Sequence, residues 1–215
     1  MAQIFPQWTI KLPLYVILAV LFLGGNVVAF FWYYGSPKYT DVGYRPKQPV
    51  DYSHKLHAGD LGMDCRYCHS TVETSPHAGV PPTQTCMNCH TSVRPESEKL
   101  ALVRESWASG VPIKWVRVHK TPDFAYFDHS SHINAGVGCE SCHGNVREME
   151  VVMQVEPLSM SWCLDCHRAP EMHLRSRDQI TVMDWQPPEN QLALAAELMK
   201  SKGLAPNEDC STCHR

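Results

Sequence analysis

The sequence predicts a mainly α-helical chain with much irregular structure: one N-terminal transmembrane helix, then a larger domain that packs around something other than its own side chains. Three observations predict this. Leu12 to Tyr34 is a run of 23 residues without a charge. All 10 cysteines fall into pairs of one fixed spacing. And 16 Pro with 12 Gly among 215 residues leave a loop-rich body with a small side-chain core. The net charge of −3, with no basic stripe, argues against a nucleic-acid partner.

The apolar run exceeds the roughly 20 residues a helix needs to cross a bilayer. Trp8 precedes it and Trp32, Tyr33 and Tyr34 close it, as interfacial aromatics do. Gly24, Gly25 and Asn26 fall mid-span, where small and polar residues let a partner helix approach. A cleaved signal peptide has a shorter apolar stretch, of about 7–15 residues, so an uncleaved anchor in the lipid bilayer is expected. The basic residues Lys38, Arg45 and Lys47 after the span outnumber Lys11 before it, which taken alone favours a cytoplasmic body.

The cysteine pairs are Cys65/Cys68, Cys86/Cys89, Cys139/Cys142, Cys163/Cys166 and Cys210/Cys213, and a histidine follows each directly: His69, His90, His143, His167 and His214. C-x-x-C-H is the signature of c-type haem attachment. Two thiols join one macrocycle, and the next residue is placed to bind its iron from the proximal side. A zinc site would take two pairs per metal, and five is an odd number of pairs. A disulfide framework gains little from two-residue loops. Five haem c are therefore expected, and they fill the interior that side chains do not. Because c-type cytochromes mature on the outer side of an energy-transducing membrane, the haem domain is expected in the periplasm of a bacterial inner membrane, despite the basic count.

The organisation follows: residues 1–11 as a cytoplasmic N-terminus, 12–34 as the span, 35–50 as a connector and 51–215 as the haem domain. Within it an aromatic residue before H-x-x-H recurs, at Tyr52-Ser53-His54-Lys55-Leu56-His57 and at Phe127-Asp128-His129-Ser130-Ser131-His132, each followed by two haem motifs. These blocks, about 52–90 and 127–167, read as a duplicated two-haem module, with a C-terminal haem segment at 168–215. Helical spacing of Leu100, Val103 and Trp107 predicts a helix over 96–109. Leu192, Ala195 and Met199 predict another over 189–202, ended by Gly203. Val151, Val152 and Val155 are read as a short strand.

Of the 12 histidines, five sit in the motifs and seven remain. The H-x-x-H pairs offer His54, His57, His129 and His132 as distal iron ligands, since residues three apart on a helical turn share a side. His119 is the fifth candidate. Met149, Met153, Met160, His77 and His173 are alternatives; a methionine ligand would raise a haem potential.

With these residues in place, the chain resembles the pentahaem cytochrome subunit of bacterial alternative complex III. The stretches Thr85 to His90, Val137 to Gly144 and Pro157 to Arg168 carry the likeness most distinctively. H-x-x-H ahead of C-x-x-C-H also resembles the small class III multihaem cytochromes, which lack the anchor. The first resemblance implies an electron-transfer subunit with no active site of its own. Electrons would come from a quinol-oxidising complex with an iron–sulfur subunit and a polytopic quinol-binding subunit. They would leave to a monohaem cytochrome, another periplasmic carrier or a terminal oxidase. The alternative is a stand-alone anchored quinol dehydrogenase feeding a periplasmic reductase. A multihaem reductase needs an iron with an open position, and seven spare histidines for five irons weigh against it.

Overall fold

A computed structural model describes residues 4–214; residues 1–3 of the expected cytoplasmic N-terminus lie outside them. Contacts divide the chain into two units, Met1–Asp41 and Val42–Arg215.

In the first unit a 3₁₀ turn, Gln7–Lys11, leads into α1, Leu12–Tyr34. Proline is tolerated in its first turn, where a backbone N–H has no intrahelical acceptor. None of its residues is buried, and it is long and apolar enough to cross a membrane. The Asn26 amide donates to the Phe22 carbonyl at 2.7 Å, so the polar group mid-helix is satisfied within its own turn. A one-turn helix, α2 (Pro37–Thr40), follows.

The second unit holds eight helices among the described residues: α3 (Cys65–Cys68), α4 (Thr83–His90), α5 (Ala101–Ser109), α6 (His129–Ala135), α7 (Glu140–His143), α8 (Met160–Arg168), α9 (Gln191–Lys202) and α10 (Cys210–Cys213). Short 3₁₀ turns and a π-helical turn at Lys55–Asp60 lie between them. Caps set several boundaries. Asp64 accepts from the Arg66 amide ahead of α3, Asp128 from the Ser131 amide ahead of α6, and Ser159 from the Trp162 amide ahead of α8.

No strand forms among the described residues. The expected strand at Val151–Val155 is instead extended chain: the Gln154 carbonyl accepts from Gly43 N–H, and Gln154 N–H donates to the Tyr44 carbonyl. Two bonds to one short segment do not propagate a ladder. The two sequence-read helices are present, with Val103 and Ala195 buried as read, but other positions of the read faces differ. Trp107 on α5 is exposed, and Ser106 is buried, bonded to Thr83 and to the Val111 carbonyl. On α9 Leu192 faces out, while Gln191 is buried and donates to the carbonyls of Glu171 and Leu174. Both polar residues satisfy loop carbonyls that an apolar side chain would leave unpaired.

The apolar core is thin. One cluster joins Val50, Met87 and Val103, with Cys86, Leu100, Ile113 and Trp115 against it. A second joins Val72, Ile133 and Ile180, with Ala78 and Cys139. Each cluster abuts a motif cysteine.

Candidate haem-attachment sites

In all five motifs the C-x-x-C residues occupy a helical turn: α3 and α10 consist of one, α4 and α8 contain one, and Cys139 is the N-cap of α7 with helical backbone angles. Positions i and i+3 of such a turn lie on one side, with Cβ atoms about 5–6 Å apart. Each pair therefore presents both thiols to one face.

The motif histidines share a second feature. Nδ1 of His69 donates to the Gly79 carbonyl at 2.7 Å, that of His90 to Val93 at 2.9 Å, that of His167 to Asn207 at 2.7 Å, and that of His214 to Phe124 at 3.1 Å. A carbonyl only accepts, so Nδ1 carries the proton and Nε2 keeps its lone pair. This is how proteins orient a metal-binding imidazole. His143 differs: its Nδ1 lies 3.3 Å from Nε2 of His119.

The H-x-x-H histidines are held the same way. His57 Nδ1 donates to the Ser53 carbonyl at 2.8 Å, His132 Nδ1 to Asp128 at 2.7 Å and His129 Nδ1 to Pro76 at 2.8 Å. His54 Nδ1 is buried without a partner. The preceding aromatic braces each pair alike. Tyr52 stands edge-on to His54 and stacks on His57; Phe127 stands edge-on to His129 and stacks on His132. The first pair opens a π-helical turn and the second an α-helix, yet the ring arrangement is conserved between them.

Three pairs of these rings stand at nearly one separation. His57 and His90 have centres 6.3 Å apart, His129 and His143 6.4 Å, and His132 and His167 6.1 Å. Two metal–nitrogen bonds of about 2.0 Å each, plus about 1 Å from each nitrogen to its ring centre, give about 6 Å. The separations are thus those that one iron between two imidazoles requires, and the residues fit haem c. Among the described residues no group of three or more His, Cys, Asp or Glu converges as a bare metal site would need.

Burial favours the neutral form of five of these imidazoles, His129 and His132 being lowered as well as His54, His119 and His143. It lowers His54 and His119 to about 4, and His143, with its histidine neighbours adding to the effect, to about 3. Neutral imidazole is the metal-binding form. Burial likewise pushes the Cys142 thiol up to about 12.

Residues 125–215 match the family described as cytochrome c7 and related cytochrome c, and residues 36–121 match the class III cytochrome c family. Each match covers less than half of the chain, and both are to multihaem cytochromes c, to which the helical, strand-free second unit is therefore similar. A curated relative, the multiheme cytochrome c subunit of menaquinone reductase from Nitratidesulfovibrio vulgaris (strain Hildenborough), is 36% identical over 127 residues, 58% of each chain. The chain thus spans somewhat over half the length of that relative.

The other sequence-read candidates lie elsewhere in this chain. Among the described residues His77 and His173 form no ring pair with a motif histidine, Met160 is exposed, and Met149 lends its carbonyl to the Lys55 amide beside the first H-x-x-H. One residue at the third motif was not read from sequence. Arg175 is 1% exposed, pairs with Glu140 at 2.9 Å, donates to the Val182 carbonyl at 3.0 Å and lies 4.4 Å from the Trp185 ring centre. It occupies the space a side chain at Gly138 would need, and its carbonyl does the same at Gly136, where φ is +108°. Two glycines flanking Val137 signal a close approach; they do not say which residue approaches.

Proposed function

We propose that this chain is the electron-transfer subunit of a quinone-linked respiratory complex, anchored by α1 in a bacterial inner membrane with its haem domain in the periplasm. Five covalently bound haem c would supply reversible one-electron exchange at iron. The observation that carries the reading is the set of three imidazole pairs at 6.1–6.4 Å, each set against a C-x-x-C turn.

The chain's own residues bind and orient. The ten cysteines would hold the macrocycles through thioethers, and His69, His90, His143, His167 and His214 would each bind an iron. His57, His129 and His132 would be the second iron-binding residues at the second, third and fourth sites. His54, half-buried near His69, would be that of the first. His119, read from sequence as a fifth distal ligand, has its Nε2 in hydrogen-bonding position to His143 Nδ1; we assign it the orienting of that proximal imidazole. His143 is partly buried, which limits the access of water to the third site.

Two directions of electron flow have support. The resemblance to the alternative complex III subunit favours quinol oxidation, with a polytopic subunit binding quinol and an iron–sulfur subunit and a monohaem cytochrome as neighbours. The match to a menaquinone reductase subunit favours flow toward quinone. We adopt quinol oxidation. The test is anaerobic stopped-flow mixing of the purified complex. Haem reduction by menaquinol is expected. Haem reoxidation by menaquinone, with no reduction by the quinol, would reverse the direction. A purified single chain that oxidises quinol unaided would replace this reading with the stand-alone dehydrogenase.

A further inference from the structure

The chain order of the five motifs is not their order in space. Each motif contacts particular others, and the contacts form a line.

The second and first motifs meet where Asn88 donates to the Tyr67 hydroxyl at 3.2 Å, each residue lying between the cysteines of its own motif. The first and third meet twice. The Cys65 and Cys139 side chains lie next to one another. The loop over 180–181 also ties both: Asp64, the cap of α3, accepts from Thr181 at 3.1 Å, and the Ile180 carbonyl accepts from Cys139 N–H at 2.9 Å.

The third and fourth share one H-x-x-H on the same short helix, with His129 beside His143 and His132 beside His167. The fourth reaches the segment ahead of the fifth through His167 to the Asn207 carbonyl at 2.7 Å and Arg168 to Glu208 at 2.8 Å. Among the described residues no hydrogen bond or ion pair joins α4 to the third, fourth or fifth motif. None joins α10 or His214 to the first or second.

Exposure gives an independent reading of the ends. Cys89 and Cys210 are exposed, and the other eight motif cysteines are not. They belong to the second and fifth motifs, the termini of the line.

We propose that the five attachment sites form one unbranched series in space, ordered second, first, third, fourth, fifth, with the second and fifth sites as its ends. The duplicated modules are thereby joined through their first members, back to back at Cys65 and Cys139. This rests on the five-haem reading above.

The test uses the full-length, haem-loaded protein. Intact mass first counts the haems; fewer than five would sink the five-haem reading itself, before order is addressed. Both cysteines of one motif at a time are then changed to Ala, and electron paramagnetic resonance of the oxidised protein follows magnetic coupling among the remaining irons. Removing the second or fifth site is expected to alter the signal of one remaining haem, and removing the first, third or fourth to alter two. Five haems with two partners lost on removing the second or fifth site, or one on removing the first, would overturn the order alone. Should a variant fail to accumulate, a cryo-electron microscopy map of the unaltered complex reads the same relation. The irons bound by His90 and His214 must each have one iron neighbour within the chain; any other iron at an end overturns the series.

Discussion

The Tyr52 ring lies on the His57 ring, centres 4.5 Å apart and planes 20° from parallel. Phe127 repeats the contact on His132 at 4.4 Å and 29°. The stack fixes the plane of an imidazole whose Nδ1 is already tied to a backbone carbonyl, so the ring has one orientation left. Such pairs contribute about 0.5–1.5 kcal/mol beyond burial. Phe127→Ala, at a side chain about a third exposed, is expected to lose that stacking contribution of about 0.5–1.5 kcal/mol rather than a core-cavity cost. It should also raise the high-spin fraction of the haem bound by His167. Tyr52→Phe keeps the stack and should leave the low-spin spectrum unchanged. Magnetic circular dichroism of the two variants checks both.

His132 and His119 face different tests. His132→Ala is expected to remove one low-spin signal, because it empties the position opposite His167. His119→Ala is expected to leave the number of low-spin haems unchanged. Without an acceptor for His143 Nδ1–H, that proximal ligand becomes less electron-donating, and the potential of its haem rises. Redox titration with optical and paramagnetic detection separates the outcomes; loss of a low-spin haem on His119→Ala would restore it to the iron ligands.

The Arg175–Glu140 pair is enclosed on the arginine side, and removing one member leaves the other without its partner. Breaking such a pair costs about 3–5 kcal/mol. Arg175→Met is expected to destabilise the loaded protein by the lower end of that range, since Glu140 retains some exposure. Adding Glu140→Gln should recover part of the loss. Urea unfolding followed in the haem absorption band measures both variants.

Acid sensitivity has a named contributor in Asp64. Its carboxyl is held at about 2, chiefly by hydrogen bonding to the Arg66 side chain. A folded-state value below the unfolded value of about 3.9 stabilises the fold fully above about pH 4, and that stabilisation is lost as pH falls toward 2. Because the side chain is 43% exposed, the effect is under about 1 kcal/mol. Asp64→Asn keeps a capping oxygen and should flatten the stability profile between pH 4 and 2, leaving it parallel to the parent above pH 5. Unfolding midpoints across that range decide it.

Much of this was legible in the sequence because it depends on local spacing. The limits of α1 follow from where charge stops, and the C-x-x-C turns from three-residue periodicity. Long-range features were not legible. Trp107 and Leu192 matched an apolar stripe, but Ser106 and Gln191 took the inward positions because loop carbonyls there needed donors. Arg175 carried no motif at all, and its place beside Gly138 depends on a chain reversal that spacing cannot reveal. Val151 to Val155 had strand-forming side chains and only Gly43 and Tyr44 to bond with.

The two small apolar clusters, each leaning on a motif cysteine, bear on how the protein is made. With so little to hold the polypeptide by itself, compact structure should accumulate only as macrocycles are ligated. The newly made chain would then reach the attachment machinery open, its ten thiols accessible. A cell short of haem would be left with a polypeptide that proteases recognise, so supply of the pigment would govern how much of the subunit survives.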